Sequence, residues 1–166
     1  MGLEQTAVMA SFEYRLSPRW TLSASGGGVV AGRLVPSEGA ISFGAGAAAS
    51  LGASWLAVEP EGLRPFVMLT GSLAFSRVAI APSSYTAADV RLGVVAGYTL
   101  LERFTPYLTA RAFGGPVFWR EQQATDLHHY QVGAGLAVGL PGGFDLSAEV
   151  VPLGEQRLTG GVGFSF

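Results

Sequence analysis

Asp126, His128 and His129 are the residues of this sequence that come closest to a catalytic or metal-binding group. A carboxylate beside two imidazoles could transfer protons or ligate a divalent metal such as zinc. Adjacent side chains diverge, however, and no His-Ser dipeptide or second carboxylate pair completes such a site. The sequence contains no cysteine, which also excludes disulfides and thiolate catalysis. We therefore predict no catalytic residue, no metal site and no cofactor.

The remaining charged residues are few. They make up 13% of the 166 residues, whereas hydrophobic residues make up 49% and glycine occurs 24 times. The ten basic residues are all arginines, and the formal net charge is −2. Such a chain offers no basic surface for nucleic acid, and its low charge suggests a membrane environment instead.

A membrane protein can cross the bilayer with an apolar helix or with strands. Residues 40–58 form the nearest candidate for a helix, but glycines and serines interrupt them, so no spanning helix is predicted. Residues 1–16 lack a charged start followed by a compact apolar run, so we expect no secretory signal within this sequence. If the protein is exported, we expect this chain to be a mature or trimmed form.

Apolar residues alternate with polar or small residues along the whole chain. In residues 8–16 the even positions are apolar, and the odd positions include Ser11, Glu13 and Arg15. A period of two predicts strands with two different faces. Nine segments have this pattern: residues 8–16, 20–34, 41–55, 67–75, 90–100, 108–118, 130–140, 144–150 and 158–166.

The polar face of these segments consists mostly of Gly, Ala, Ser and Thr. A soluble barrel would carry many charged residues on its wet face, whereas small residues suit the inside of a narrow closed barrel whose apolar face contacts lipid. We therefore predict an all-β fold: a transmembrane antiparallel up-and-down β-barrel of eight to ten strands, forming one domain over residues 1–166. The alternative is a soluble lipocalin-like barrel with an apolar interior.

The connections between the segments fall into two alternating sets. We expect tight turns at residues 17–19, 59–62, 102–103 and 141–143. We expect longer loops at residues 36–39, 81–89, 122–129 and 152–156. Transmembrane barrels carry short turns at the periplasmic end and longer loops outside.

Aromatic residues on the apolar face gather beside the tight turns, which is typical of a membrane interface. They are Tyr14, Trp20, Trp55, Tyr98, Phe144, Phe164 and Phe166. A sparser set near the longer loops consists of Phe43, Phe75, Phe118 and Tyr130.

The last eight residues, TGGVGFSF, resemble the C-terminal assembly signal of small bacterial outer-membrane barrels of the OmpA, OmpX and OmpW kind. The matching residues are the polar Thr159, Gly161, the hydrophobic Phe164 and the terminal aromatic Phe166. The resemblance implies residence in the bacterial outer membrane, in contact with its lipid and lipopolysaccharide. It also implies delivery by a periplasmic chaperone and insertion by the outer-membrane assembly machinery.

The number of segments departs from that family, because bacterial single-chain barrels have an even number of strands. Three explanations remain open. A strand that precedes Gln5 is missing, which gives ten strands. One of the nine segments is not a strand, which gives eight, and residues 144–151 are the weakest because Pro152 would end them early. Alternatively, the first and last strands close the barrel in parallel.

Nine charged residues fall on the small-residue face and so predict a charge network inside the barrel. Glu13, Arg15 and Asp145 are expected near the tight turns, Arg111 and Glu149 at mid-height, and Arg33, Asp89, Arg91 and Arg157 toward the longer loops. An unpaired charge inside a membrane is costly, so we expect Arg111 and Glu149 to meet across a strand that contributes small residues, Gly133, Gly135, Ala137 and Gly139. The alternative is that water in the lumen solvates each charge.

These features favour a barrel with a structural or interaction role, whose polar lumen is filled by its own side chains. A narrow channel for ions or small solutes is the alternative function. A third possibility is an outer-membrane enzyme that modifies lipid or cleaves peptides with the residues of the 122–129 loop.

Overall fold

The computed structural model describes residues 2–35, 41–43, 45–62, 64–80, 83–119, 122–124 and 129–164. Within these residues every regular element is a strand. None of the described segments forms a helix that is long and apolar enough to span a bilayer. The all-β fold class predicted from the alternation is confirmed.

The described residues form twelve strands. They are β1 (Gly2–Arg15), β2 (Trp20–Val35), β3 (Ile41–Phe43), β4 (Gly46–Val58), β5 (Phe66–Ile80), β6 (Ser83–Gly97), β7 (Phe104–Gly114), β8 (Val117–Trp119), β9 (Gln122–Ala124), β10 (Tyr130–Leu140), β11 (Phe144–Gly154) and β12 (Arg157–Phe164).

All twelve strands belong to one sheet, and the nine long ones follow each other in the order β1-β2-β4-β5-β6-β7-β10-β11-β12. Each long strand pairs antiparallel with the next, as expected for an up-and-down arrangement. The three short strands extend it locally: β3 pairs with β2, and β8 pairs with β6 and β9. The sheet is strongly curled into a half-barrel.

The nine long strands correspond to the nine segments read from the sequence, and Pro152 does not end β11 early. β11 continues to Gly154, which pairs with Gln131. The register between β10 and β11 shifts between Val132 and Ala134, so Pro152 lies at a β-bulge. A residue without an N–H group is tolerated there, because the ladder is already interrupted.

The connections define two rims of the sheet. We call the end with residues 16–19, 59–62, 64–65, 98–103 and 141–143 the turn rim, and the opposite end the loop rim. Two expected long loops at the loop rim are wrong. β5 and β6 stay paired as far as Ile80 and Ser83, so residues 83–89 are strand, and only residues 155–156 separate β11 from β12.

The extension of β5 and β6 has a packing reason. Tyr85 is buried with Val29, Val78 and Val117 in a small apolar cluster inside the curl near the loop rim. Burial of an aromatic ring stabilises the strand that carries it. The Ala, Ser and Thr residues around Tyr85 show little alternation, which is why the sequence pattern predicts a loop there.

The two faces of the sheet have opposite character. Large apolar side chains on the convex face are exposed, with Leu92 at 66%, Leu108 at 67% and Leu73 at 60%. The concave face carries serines, threonines and glycines of the alternating pattern together with charged residues such as Arg91, Arg111 and Asp145. The main apolar surface of the molecule therefore lies outside rather than in a core.

Gly26 and Gly27 give a first test of this packing, because they are neighbours on opposite faces of β2. A Cβ atom at Gly27 would collide with the carbonyl oxygen of Val8 and lie 2.8 Å from the Cα of Met9, whereas a Cβ at Gly26 would meet nothing within 4 Å. We expect Gly27→Ala to lower the free energy of unfolding by roughly 1–3 kcal/mol. We expect Gly26→Ala to be neutral or to stabilise by up to about 1 kcal/mol.

Urea unfolding in detergent micelles, followed by tryptophan fluorescence, measures both variants against the parent chain. Equal effects of the two substitutions would contradict the strand register at this position.

Candidate functional site: the polar interior

The concave face of the sheet lines an open cavity of about 2660 Å³. Its wall includes side chains from the first long strand to the last, most of them small or polar. Ser25 and Ser50, which are direct cross-strand partners, share a hydrogen bond of 2.7 Å between their hydroxyl oxygens. The cavity is larger than a lumen filled by its own side chains, because the sheet is open between β1 and β12.

Arg111 and Glu149 form the central ion pair of this interior. Nη1 of Arg111 donates to Oε1 of Glu149 at 2.7 Å, and Nη2 donates to Oε2 at 2.9 Å. The hydroxyl of Tyr107 also donates to Oε2 at 3.2 Å. The side chains of Arg111 and Glu149 are only 22% and 12% exposed. The guanidinium and carboxylate therefore meet in a bidentate geometry that is largely shielded from solvent.

The strand between them leaves room for this contact. β10 separates β7 from β11, and Gly135 of β10 lies opposite both Tyr107 and Glu149. A Cβ at Gly135 would overlap the ring of Tyr107. The small residues of β10 thus let two long side chains cross above the strand. On the other side, Gly93 of β6 gives space to the stem of Arg111, whose Cγ lies 2.9 Å from where a Cβ would stand.

Gln131 and Thr109 add further buried polar groups near this pair, which the sequence does not reveal. Gln131, opposite Arg111 on β10, is 1% exposed, and its Nε2 donates to Glu155 at 2.8 Å. The buried Oε1 of Gln131 and Oγ1 of Thr109 have no hydrogen-bond partner among the residues that the structure describes. Tyr107, Thr109 and Gln131 occupy inward positions of the alternating pattern, so their side was predictable, but their partners were not.

Asp89 and Arg91 form a second ion pair on β6. Two residues apart on one strand, they share the inner face, and Nε of Arg91 donates to Oδ1 of Asp89. Nη2 of Arg91 donates to Oδ2 at 3.2 Å. The guanidinium carbon of Arg91 also lies 5.2 Å from the ring centre of Phe113. A carboxylate and an aromatic face thus both offset the charge of this arginine.

Four further charged residues of the predicted network line the cavity. Glu13, Arg15 and Asp145 line the cavity nearer the turn rim, and Arg157 donates from Nε to Oγ1 of Thr159 at 2.8 Å.

Arg33 is placed differently from its predicted position in the lumen. The register between β1 and β2 shifts between Thr6 and Ala7, so beyond that point Arg33 pairs with Glu4. Gln5, the neighbour of Glu4, lines the cavity, and successive residues of a strand point to opposite faces. The bulge therefore moves Arg33 to the outer face.

The aromatic residues beside the turn rim form a belt on the outer face. Trp20 and Trp55 are direct cross-strand partners whose ring centres lie 6.4 Å apart in a stacked arrangement. Phe144 and Phe164 are also direct cross-strand partners, with ring centres 5.1 Å apart in a tilted arrangement. Tyr14 and Tyr98 are exposed on the same belt, at 58% and 45%. Near the opposite rim, the exposed aromatic side chains are Phe75, Phe118 and Tyr130.

The histidine and aspartate group of the 122–129 loop and the C-terminal assembly signal fall partly outside the described residues. Asp126, His128 and Phe166 lie there, whereas His129 is exposed at the end of the connection that leads into β10. Within the part of the chain that the structure describes, no three His, Cys, Asp or Glu residues could hold a metal ion together. Thr159, Gly161 and Phe164 all belong to β12, the last strand of the sheet.

No protein-family model, curated protein or solved structure matches this chain. The resemblance to small outer-membrane barrels therefore stands on the residue pattern and is compatible with the curled antiparallel sheet.

The central ion pair leads to a prediction that distinguishes a shielded interior from a wet channel. Arg111→Ala would leave the carboxylate of Glu149 with Tyr107 as its remaining partner, so we expect a loss of roughly 3 kcal/mol in the free energy of unfolding. Replacing both residues, Arg111→Met with Glu149→Leu, should cost much less because no buried charge remains. Tyr107→Phe, the matched control, removes one hydrogen bond to a charged group and should cost about 1.5–3 kcal/mol.

Urea unfolding of the three variants in micelles gives these free energies, and planar-bilayer recording gives the conductance of each. Small, additive losses of stability together with altered ion selectivity would show that water solvates the two charges in an open channel.

Proposed function

We propose that the chain is an integral β-barrel of the bacterial outer membrane with a structural or interaction role and no enzymatic activity. The observation that carries this proposal is the exposed apolar convex face, which extends over all nine long strands. Soluble monomers rarely expose contiguous apolar patches larger than a few hundred Å². A bilayer removes the free-energy cost of exposing this apolar face to water, because lipid chains cover the apolar side chains while the sheet satisfies the backbone groups.

The aromatic belt supports an orientation. Trp20, Trp55 and Phe144 lie beside the short turns, at the level where amphipathic rings contact lipid headgroups. Because transmembrane barrels place their short turns in the periplasm, the turn rim faces the periplasm in this proposal. The loop rim then faces the lipopolysaccharide of the outer leaflet.

A narrow channel for ions or small solutes is the second candidate function. The observation in its favour is the cavity of about 2660 Å³ with its lining of serine, threonine, aspartate and arginine side chains. The shielded Arg111–Glu149 pair favours the structural role instead, because it occupies the space that a solute would cross.

Lipid contact of the convex face can be tested with neighbouring residues of β5. Leu73 is exposed on the convex face, whereas Ser72 lines the cavity. In a chain whose three tryptophans are replaced by phenylalanine, we expect Leu73→Trp to be quenched by lipids brominated deep in the acyl chain. Ser72→Trp should be quenched weakly, because the sheet separates it from lipid.

Trp20 as the sole tryptophan should respond best to lipids brominated near the headgroup. A chain that remains soluble without detergent, or in which Ser72→Trp is quenched more strongly than Leu73→Trp, would favour the soluble barrel with an apolar interior.

The C-terminal signal gives a separate test of assembly. We expect deletion of Phe166, or Phe166→Asp, to abolish insertion into the outer membrane of cells, because the assembly machinery would no longer bind the last strand. Refolding into detergent should persist, since one terminal residue adds little to the sheet. Ser165→Asn is the control, and it should reach normal surface levels. Normal surface levels of the Phe166 variants would remove the support that TGGVGFSF gives to the proposed location.

A further inference from the structure

The two ends of the sheet, β1 and β12, run in the same direction. β1 starts at the loop rim, where Gly2 pairs with Val35, and ends at the turn rim, where Arg15 pairs with Thr21. β12 also starts at the loop rim and ends where Phe164 pairs with Phe144, beside the turn of residues 141–143. Among the described residues, neither strand has a partner on its outer side. The sheet thus ends on two edges that are parallel to each other.

The cavity passes through the space between these edges. All eight residues of β12 line it, and so do residues 11–15 of β1. Interior strands contribute shorter runs of consecutive residues, such as residues 48–50 of β4 and 74–76 of β5, and β10 contributes Ala137 alone. The longer runs on β1 and β12 show that the cavity reaches along both edges of the sheet. The cavity therefore continues into a slot between β1 and β12.

We propose that one further strand of the same polypeptide, formed by residues that precede Gly2, fills this slot and closes the sheet into a ten-stranded barrel. This inference rests on the proposed membrane barrel. A strand that is antiparallel to both edges must run from the turn rim to the loop rim. Since Gly2 lies at the loop rim, a hairpin there connects such a strand directly to β1, and both chain termini then lie at the turn rim.

Other occupants do not fit the direction of the edges. Direct pairing of β1 with β12 would create a parallel ladder in a sheet whose long strands are otherwise antiparallel. A second copy in the same membrane orientation presents edges that run the same way, so it would also pair in parallel. An inverted copy would place its turn rim on the opposite side of the membrane.

The edges also define the chemistry of the missing strand. Its outward side chains would lie beside Phe12, Tyr14 and Val162, which are exposed at 59%, 58% and 75% and call for apolar neighbours. Its inward side chains would lie beside Ser11 and Gly161, whose cross-strand partners are Ser25 and Ser147, and these call for small or polar neighbours. We infer an alternating segment of about the length of the two edges, which have 14 and 8 residues.

Engineered cysteines can measure the width of the slot, because the chain has no cysteine of its own. Neighbouring strands lie about 4.8 Å apart, and a disulfide requires Cα atoms about 4.4–6.8 Å apart. In the complete polypeptide with its preceding residues, Ser11→Cys is combined in turn with Thr159→Cys, Gly161→Cys and Gly163→Cys. Three partner positions on β12 are used because the relative shift of β1 and β12 along the strand direction is not known.

Two control pairs calibrate the result. Ser147→Cys with Gly161→Cys joins direct partners and should form a disulfide. Ser11→Cys with Ser50→Cys joins two strands that flank Ser25, so it should react only with a linker of about 10 Å. If one strand fills the slot, a β1–β12 pair behaves like this second control. The complete polypeptide should also migrate faster unboiled than boiled in SDS gels, whereas the 166-residue chain, with two open edges, should not.

A β1–β12 disulfide in the complete polypeptide would overturn the proposal, and so would the absence of cross-linking with either reagent. A reading frame with no residues ahead of Met1 would overturn it as well. Lipid quenching of Leu73→Trp tests the membrane proposal separately. If that quenching is absent and the cross-links behave as expected, the tenth strand stands while the membrane location falls.

Discussion

Successive side chains of a strand point to opposite faces of a sheet. The apolar surface of this molecule therefore stays on one face as long as the register between neighbouring strands is maintained. Along the nine long strands that register is nearly continuous, and it places leucine opposite leucine, as at Leu51 and Leu73. Three register shifts interrupt it, next to Thr6, Leu56 and Val132. A bulge changes which face the following residues occupy, and both the apolar convex face and the polar concave face depend on where these bulges lie.

The polar interior depends on the same register, because the register decides where residues without bulky side chains lie between the charged ones. Burying a charge is costly unless it is paired and hydrogen-bonded. Arg111 reaches Glu149 because Gly135 carries no side chain between their strands, and Tyr107 completes the carboxylate's partners from the same inner face. A larger residue at Gly135 would displace the Tyr107 ring, so the electrostatics of the interior follow from its packing.

The two open edges of the sheet, β1 and β12, follow from the alternating direction of the strands. In an up-and-down sheet each strand reverses the one before it, so an odd number of strands leaves two edges that run the same way. The bulge that carries Pro152 keeps β11 in the sheet, and the count of long strands is therefore nine rather than eight. Backbone groups at both edges of a membrane sheet need partners, which is the physical reason for a closing strand.

The sequence by itself determined the features that depend on neighbours along the chain: the nine strands, their two faces and the tight turns between them. It also predicted that Arg111 and Glu149 lie at the same depth. Only the tertiary structure decided that Tyr107 joins this pair and that Gln131 bonds to Glu155. It also decided that β5 and β6 extend over Tyr85 and that a bulge turns Arg33 outward. These features depend on which strands pair and in which register, and a pattern of period two carries no information about either.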